Sequence, residues 1–279
     1  MTETVHEPQT VGELIRFWRT RRRLSQQELA LEANLSTKHL SFVETGRSHP
    51  SRQLLIHLAQ ELDLPVAERN RLFLAGGFAP PYLEQPYDGA VMRPLRESLR
   101  RLLAAHEPNP AVIVDGLWNL IEANRAASLL WHGVDPALLQ PPTNMLRIAV
   151  HPRGLPSISS MTAACSAPLI HRLKRRSRED SVEQLGQLID EIASYLPDEP
   201  LYAAPTEPMV TLKLRTELGE VSLFTVIATL GAPLEVTAAN LAIETFLPTD
   251  EESAAKLAAL AALPDRTTTA VLPSESTGA

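Results

Sequence analysis

Hydrophobic positions recur at helical spacing along the first quarter of the chain. From residue 11 to residue 75 this pattern predicts one short helix after another, with breaks near residues 24–25, 33–35, 45–50 and 63–65. The Gly-Gly-Phe-Ala-Pro-Pro segment at 76–81 ends the run, because glycine and proline do not continue a helix. The pattern therefore predicts an all-helical N-terminal domain of five helices over residues 11–80.

The pattern changes to a two-residue alternation in the second half of the chain. A linker with a connecting helix is predicted over 81–104. Strands are predicted around the Asp115-Gly116 turn within 111–121, around the turn at 218–220 within 209–229, and within 234–246; helices are predicted at 124–131 and 184–195. This mixed order predicts an α+β domain with an antiparallel sheet over 105–252. Residues 265–279, rich in Ser, Thr and Gly, are predicted to be a disordered tail.

Two helix starts within the first domain have the spacing of a helix-turn-helix. Ser25 and Glu28 form a capping-box pattern, and Ser36 is a second N-cap candidate eleven residues after Ser25. This leaves a helix of about eight residues, a three-residue turn and a second short helix.

The second helix of this pair has two distinct faces. On a helical wheel, Ser36, Leu40 and Val43 point to the core. A recognition helix contacts bases with its N-terminal residues and its outer face, which here comprise Thr37, Lys38, Ser41, Phe42 and Thr45. An outward Phe42 could meet a thymine methyl group. The alternative is that Phe42 packs under the loop that follows.

The distribution of charge supports a nucleic-acid partner only locally. The net charge is −7, but residues 11–52 carry eight Lys/Arg against four Asp/Glu. From residue 81 onward there are sixteen Lys/Arg against twenty-four Asp/Glu. Phosphate contacts depend on the local patch, because salt screens charges more than about 8–10 Å away.

The sequence gives little sign of metal, membrane or catalytic chemistry. A single cysteine, Cys165, excludes an internal disulfide, and no histidine pair has metal-ligand spacing, so we expect no metal and no cofactor. No leader pattern and no run of 18 apolar residues occur, which predicts a cytoplasmic protein without membrane insertion. Gly-x-Ser-x-Gly and Gly-x-Gly-x-x-Gly are absent, and the histidines that flank Cys165, His151 and His171, have no diagnostic spacing. We therefore do not expect an enzyme.

The helix-turn-helix segment resembles the XRE-type regulators, a family shared with phage repressors. The matching residues are Ser-Gln-x-Glu-Leu-Ala from residue 25, Leu-Ser-x-x-x-Leu-Ser-x-Val-Glu-x-Gly-Arg from residue 35, and Pro50-Ser51; Asn34 stands where the family often has glycine. The resemblance implies that Gln26 contacts phosphate and that Thr37, Lys38 and Phe42 reach base edges. It also implies a partly buried ion pair between Arg19 and Glu44. The full predicted DNA-binding set is Gln26, Thr37, Lys38, Ser41, Phe42, Thr45 and Arg47.

Further motifs resemble regulators with an MmyB-like ligand-binding domain. They include Glu68-Arg69-Asn70, Asn144-Met145-Leu146-Arg147, His151-Pro152-Arg153-Gly154-Leu155, Leu218-Gly219-Glu220 and Ile243-Glu244. The resemblance covers about 11–252. It implies a PAS-like C-terminal domain whose pocket takes a small, largely apolar, fatty-acid-like molecule.

Two interpretations of the C-terminal domain stay open. In the first it is a ligand sensor; in the second its core is filled and it serves only as a dimerisation module. The sensor hypothesis places three aromatic residues in the pocket and four polar residues at its mouth: Trp118, Trp131 and Phe224, then Asn124, Asn144, Arg147 and His151. Under both hypotheses we expect a homodimer on a double-stranded DNA operator, because one recognition helix reads only a few base pairs.

Overall fold

A computed structural model of the chain describes residues 10–82, 84–158, 183–195, 211–231 and 235–263. The predicted tail, Cys165 and His171 lie outside these residues. By internal contacts the chain divides into two compact units. The N-terminal unit comprises residues up to Gln85 together with 232–239, and the C-terminal unit comprises 86–231 and 240 onward. Each unit is described by itself below.

Five helices build the N-terminal unit up to residue 85. They are α1 (Val11–Arg21), α2 (Gln26–Glu32), α3 (Thr37–Glu44), α4 (Arg52–Glu61) and α5 (Val66–Ala75). A one-turn helix at Val236–Ala239 also belongs to this unit. The predicted helical N-terminal domain with five helices is confirmed.

Local caps explain where these helices begin. Ser25 and Glu28 form the predicted capping box at the start of α2, and the Ser36 hydroxyl accepts a hydrogen bond from the His39 amide at the start of α3. Asn34 has a φ of 51°, the left-handed conformation expected in this turn. Ser36 itself is exposed as a cap, so its predicted position in the core is wrong.

The core of the N-terminal unit lies where the inward faces of its helices meet. The fully buried large side chains come from all five helices and include Leu14, Ile15, Leu29, Leu40, Leu55, Leu58, Leu72 and Phe73. Trp18 is buried with them, and its indole N–H donates to Glu68 Oε2 at 3.2 Å. Gly12 brings α1 against the end of α3, because a Cβ atom at this position would lie 2.5 Å from the Val43 carbonyl oxygen.

The C-terminal unit combines one sheet with surrounding helices. Its strands are β1 (Ala111–Val114), β2 (Leu120–Ala123), β3 (Thr211–Thr216), β4 (Gly219–Thr229) and β5 (Ala242–Pro248). Its longer helices are α6 (Arg93–Ala105), α7 (Met145–Val150), α8 (Glu183–Ala193) and α9 (Glu251–Ala261). Short 3-10 helices lie at Arg125–Leu130 and Pro136–Leu139, and a one-turn helix lies at Leu155–Ile158.

The five strands form one antiparallel sheet in the order β2-β1-β5-β4-β3. On one face Val112, Val114 and Leu223 pack against residues of α7 and α8. On the other face Ala111 and Ile113 pack with α6. The predicted α+β class with an antiparallel sheet is confirmed.

Several elements differ from the prediction in detail. The predicted helix at 124–131 is a 3-10 helix, and the strand predicted within 234–246 begins only at Ala242 because 236–239 forms a helical turn. The short helix α7 and the terminal helix α9 were not predicted. Both begin at a polar cap, Asn144 and Asp250, whose side chain accepts backbone N–H groups.

Candidate nucleic-acid interface and ligand site

Helix α3 presents one buried face and one accessible face. Leu40 and Val43 are fully buried, and Glu44 is buried at the end of the helix. The accessible side comprises Thr37, Lys38, Ser41, Phe42 and Thr45, together with Arg47 in the following turn; we call these six residues the α3 outer face. Ser41 and Phe42 are half-buried and the other four are exposed. The α3 outer face thus contains six of the seven predicted DNA-binding residues.

Phe42 is flanked by two cations. Lys38 Nζ lies 5.7 Å and Arg47 Cζ lies 6.0 Å from the centre of the Phe42 ring. The backbone amides of Arg47 and Ser48 both donate to the Phe42 carbonyl, which folds the following turn back on the helix. Phe42 is therefore half-buried rather than fully outward. In the described part of the chain neither Lys38 nor Arg47 pairs with a carboxylate.

A buried ion pair lies behind the α3 outer face. Arg19 Nε donates to Glu44 Oε1 at 2.6 Å and Arg19 Nη2 donates to Glu44 Oε2 at 3.1 Å. The two side chains are only 12% and 1% exposed. Arg19 also donates to the Leu24 carbonyl, at the turn before α2. The predicted pair is present, and it joins α1 to the end of α3.

Glu44 also fixes the side chain of Gln26 at the start of α2. Gln26 Nε2 donates to Glu44 Oε2 at 2.7 Å. An amide nitrogen has two hydrogens, so this bond leaves one N–H for another acceptor. The Gln26 amide is thus oriented by the ion pair behind it.

The side chain of Thr45 forms a hydrogen bond within its own helix turn. Its hydroxyl donates to the Ser41 carbonyl at 2.7 Å. A hydroxyl that donates in this way keeps its acceptor lone pairs. Thr45 can therefore accept a hydrogen bond from a base donor, but cannot donate a second one.

In the C-terminal unit the two predicted asparagines cap helices. Asn124 Oδ1 accepts from the Ala111 and Ala127 amides, and Asn124 Nδ2 donates to the Leu103 and Asn109 carbonyls. Asn144 holds the start of α7 in the same way: its Oδ1 accepts two backbone amides, and its Nδ2 donates to the Leu117 carbonyl and to Asn119 Oδ1. Both side chains hold the fold together, and their role toward a ligand stays a prediction.

Arg147 and His151 belong to one polar cluster. Arg147 Nε and Nη2 each donate to a Glu191 oxygen at 2.7 Å, and the Tyr195 hydroxyl donates to Glu191 Oε1 at 2.8 Å. The His151 and Tyr195 rings meet edge to face at 4.8 Å. The Arg147 guanidinium holds the pKa of the Glu191 carboxyl below its ordinary value, against the opposing effect of burial. The cluster links α7 to α8.

The structure separates the three predicted aromatic residues. Trp118 and Trp131 are 3% and 5% exposed and lie in the core beside α7 and α8. Phe224 is half-buried and follows Leu223, which faces that core. Successive side chains of a strand point to opposite faces, so Phe224 lies on the other face of the sheet. The structure does not bring it together with the two tryptophans.

Two residues of the polar cluster were missed in the sequence. Glu191 and Tyr195 are four residues apart at the end of α8, a spacing that places them on one helix face. That spacing could have identified the two residues as neighbours. Their contact with Arg147 could not have been predicted, because it joins residues far apart in the chain.

The described residues contain neither a membrane-spanning helix nor a cluster of metal ligands. No helix among them is long and apolar enough to cross a membrane. In the same residues no group of three or more His, Cys, Asp or Glu side chains could hold a metal ion.

Two protein families match the chain. The family described as MmyB-like transcription regulator ligand binding domain matches residues 95–260. A helix-turn-helix family matches residues 15–69, from α1 into α5. No curated protein sequence matches the chain.

Several solved structures are similar to parts of the chain. The restriction-modification controller protein C.AhdI from Aeromonas hydrophila is 33% identical over 23% of this chain and 91% of its own, with a TM-score of 0.21. The clp gene regulator ClgR from C. glutamicum is 27% identical over 25% of this chain and 92% of its own, with a TM-score of 0.22. An RNA-binding Light-Oxygen-Voltage receptor is 14% identical over 92% of this chain and 65% of its own, with a TM-score of 0.27.

Proposed function

Since the chain belongs to the family of MmyB-like transcription regulators, and so is a DNA-binding transcription regulator, we propose that it reads a specific operator with α3 and senses a small apolar ligand with its C-terminal domain. The observation that supports operator reading most strongly is the α3 outer face. Within the described residues it places Lys38 and Arg47, neither of them paired with a carboxylate, beside the Phe42 ring, on the accessible side of a helix whose other face is buried.

Each residue of this surface has a proposed role. Lys38 and Phe42 contact base edges, Phe42 through a thymine methyl group, and Thr37 and Ser41 contact bases at the start of the helix. Arg47, in the turn after α3, and Gln26, oriented by Glu44, contact phosphates. Thr45 accepts from a base donor.

The DNA proposal is tested by enrichment and titration. The full chain is used to enrich duplexes from a random library, and the enriched duplex is then titrated by fluorescence anisotropy beside a scrambled duplex of the same composition. We expect about 10³-fold or greater preference for the enriched duplex at physiological salt. Equal affinity for both duplexes would contradict sequence-specific reading.

For the ligand, the proposal is a fatty-acid-like molecule bound in the C-terminal domain. The support is the family match together with Arg147, whose guanidinium already holds a carboxylate by two hydrogen bonds. A fatty-acid headgroup offers the same two oxygens as Glu191 and would take its place. An acyl chain buried beside the tryptophans would gain about 0.8 kcal/mol per CH₂.

Organic extraction of the purified protein followed by mass spectrometry tests the ligand proposal. We expect an aliphatic carboxylic acid that co-purifies with wild type and is depleted in Arg147→Gln. The matched control is Arg153→Gln, an exposed arginine of the same unit.

A second function for the C-terminal domain is supported by a separate observation. Trp118, Trp131 and the buried side chains of α7 and α8 form one continuous core, which suits a dimerisation module without ligand. If extracts contain no acid, and medium-chain fatty acids change neither melting nor DNA affinity, the dimerisation module is the better account. Under both proposals the protein is a cytoplasmic homodimer on double-stranded DNA.

A further inference from the structure

The connection between β4 and β5 leaves one unit of the molecule and returns to it. Both strands belong to the C-terminal unit, whereas residues 235–239 between them belong to the N-terminal unit, which contains the helix-turn-helix. A segment of the sheet-forming domain is therefore part of the DNA-binding unit.

Two side chains of this segment hold the backbone of Gln85. The Gln85 amide donates to Glu235 Oε1 at 2.7 Å, and the Thr237 hydroxyl donates to the Gln85 carbonyl at 2.6 Å. Both backbone polar groups of Gln85, the last residue of the N-terminal unit before the chain enters the C-terminal unit, are thereby satisfied. We call this arrangement the Gln85 clamp.

The segment is ordered by its own hydrogen bonds. Glu235 also accepts from the Thr237 amide at 3.0 Å and from the Ala238 amide at 2.7 Å. Burial alone would raise the pKa of the Glu235 carboxyl, but the three backbone N–H donors hold it below its ordinary value. The carboxylate is therefore charged at neutral pH, and hydrogen bonds to a charged group are the stronger kind.

The helical turn also packs into the N-terminal unit. Val236 and Ala238 are 7% and 6% exposed, and the turn contacts α5. Helix α5 contacts α1, and α1 contacts α3. The clamp thus connects through packed helices to the recognition helix.

The other end of the segment is fixed in the sheet. Thr229 of β4 pairs with Ala242 of β5, and Ala228 pairs with Ile243. Leu241, just before β5, is buried against the α6 face. Only Asn240 separates the helical turn from the buried Leu241, so a shift of β5 within the sheet reaches the clamp along the chain.

We propose that Glu235 and Thr237 are positioning residues of the DNA-binding unit, through which the β4–β5 pair is coupled to DNA affinity. The inference rests on the proposed DNA binding and adds the route of regulation. Coupling between two sites is reciprocal, so DNA binding must in turn change the opening of the hydrogen bonds between β4 and β5. This consequence can be measured with DNA as the probe.

Hydrogen–deuterium exchange on the full chain, with and without the enriched duplex, tests the proposal. Glu235→Gln and Thr237→Val break the clamp. Thr237→Ser keeps the hydroxyl, and Asp250→Asn makes the same carboxylate-to-amide change at a cap inside the C-terminal unit, where Asp250 Oδ1 accepts the Ser253 amide at 2.7 Å.

Without DNA, we expect exchange over residues 66–85 to rise about tenfold in Glu235→Gln and Thr237→Val, and to stay unchanged in Thr237→Ser and Asp250→Asn. With DNA, we expect slower exchange over 219–229 and 242–248 in wild type and in Thr237→Ser. This protection should be lost in Thr237→Val and Glu235→Gln, with a matching fold-change in DNA affinity.

Two results would overturn the inference. One is wild-type protein that binds the duplex without any change of exchange in the two strands. The other is equal strand protection in wild type and Thr237→Val. Failure of the proposed DNA binding would look different, because the anisotropy titration of wild type would then show no preference for the enriched duplex.

Discussion

The Arg19–Glu44 pair joins α1 to the end of α3 within the N-terminal unit. Both side chains are largely buried, and Glu44 also receives the Gln26 amide. Removing one partner leaves the other charge buried without compensation, at a cost of about 3–5 kcal/mol. A substitution of either residue therefore tests whether this pair stabilises the N-terminal unit.

Arg19→Met should strongly lower the thermal stability of the N-terminal unit, as measured by differential scanning calorimetry. Arg93→Met is the control, since Arg93 and Glu97 form an exposed pair worth about 0–1 kcal/mol. Equal melting temperatures for Arg19→Met and wild type would mean that the pair does not hold α1 to α3.

Gly12 offers a steric test of the same contact between α1 and α3. A methyl group there would meet the Val43 and Glu44 carbonyl oxygens at 2.5 and 2.6 Å, so the helices must separate. We expect Gly12→Ala to destabilise the unit by about 1–3 kcal/mol in urea denaturation. Gly231→Ala, which meets no atom within 4 Å, should behave as wild type. A tolerated Gly12→Ala would contradict this close packing.

Glu191 gives the C-terminal unit a predictable response to acid. Its pKa is lowered in the folded state, so its contribution to stability is complete above the ordinary value of 4.5 and is lost as the pH falls through the folded value. Melting curves between pH 6 and pH 3 should show this loss in wild type. Glu191→Gln should lack that component and be less stable at pH 6. An identical pH profile in both proteins would contradict the Arg147–Glu191 link.

At the scale of elements, α3 carries the proposed reading of DNA. Lys38→Ala and Phe42→Ala should each relax the preference at one base pair by about 1–3 kcal/mol, whereas Gln26→Ala should weaken all duplexes alike. Anisotropy titrations against single-base variants of the enriched duplex measure both effects. Lys213→Ala, on β3, is the matched control. Uniform loss in all three variants would mean that the reading face is assigned wrongly.

Elements with local determinants could be predicted from the sequence. Helices α2 and α3 were found because their caps, Ser25 and Ser36, lie within three residues of the amides they bind. The sheet was predicted because a two-residue alternation of apolar and polar side chains is typical of strands. Helix α7 was missed because six residues are too few to show a period.

Contacts between residues far apart in the chain could not be predicted from the sequence. The Gln85 clamp joins residues 150 and 152 positions apart, and Arg147 meets Glu191 across 44 positions. The predicted pocket includes Phe224 together with the two tryptophans. The buried face of β4 is set by strand register, which places Val221 and Leu223 inside.

For the molecule as a whole, the uneven distribution of charge along the chain fits a regulator that contacts DNA only through its basic N-terminal part. The Lys/Arg excess lies in residues 11–52, and the acidic excess lies beyond residue 81. The acidic part disfavours promiscuous binding, so affinity must come from the local patch and from two half-sites used together.

We therefore expect a homodimer, with part of its interface in residues 81–279. One chain has a mass of 30.6 kDa. Sedimentation velocity at micromolar concentration should give a free species of twice that mass and, with the enriched duplex, a complex with the mass of two chains plus the DNA. Two chains per duplex is the expected stoichiometry. A monomer in both conditions would contradict the dimer.

A hydroxyl-radical footprint of the full chain on its enriched duplex shows whether two copies of α3 read one operator. We expect two protected half-sites related by a two-fold axis, with centres about 34–36 Å apart, and loss of both in the Lys38→Ala/Phe42→Ala double variant. An even footprint without half-sites, or one that the double variant leaves unchanged, would contradict operator reading by two copies of α3.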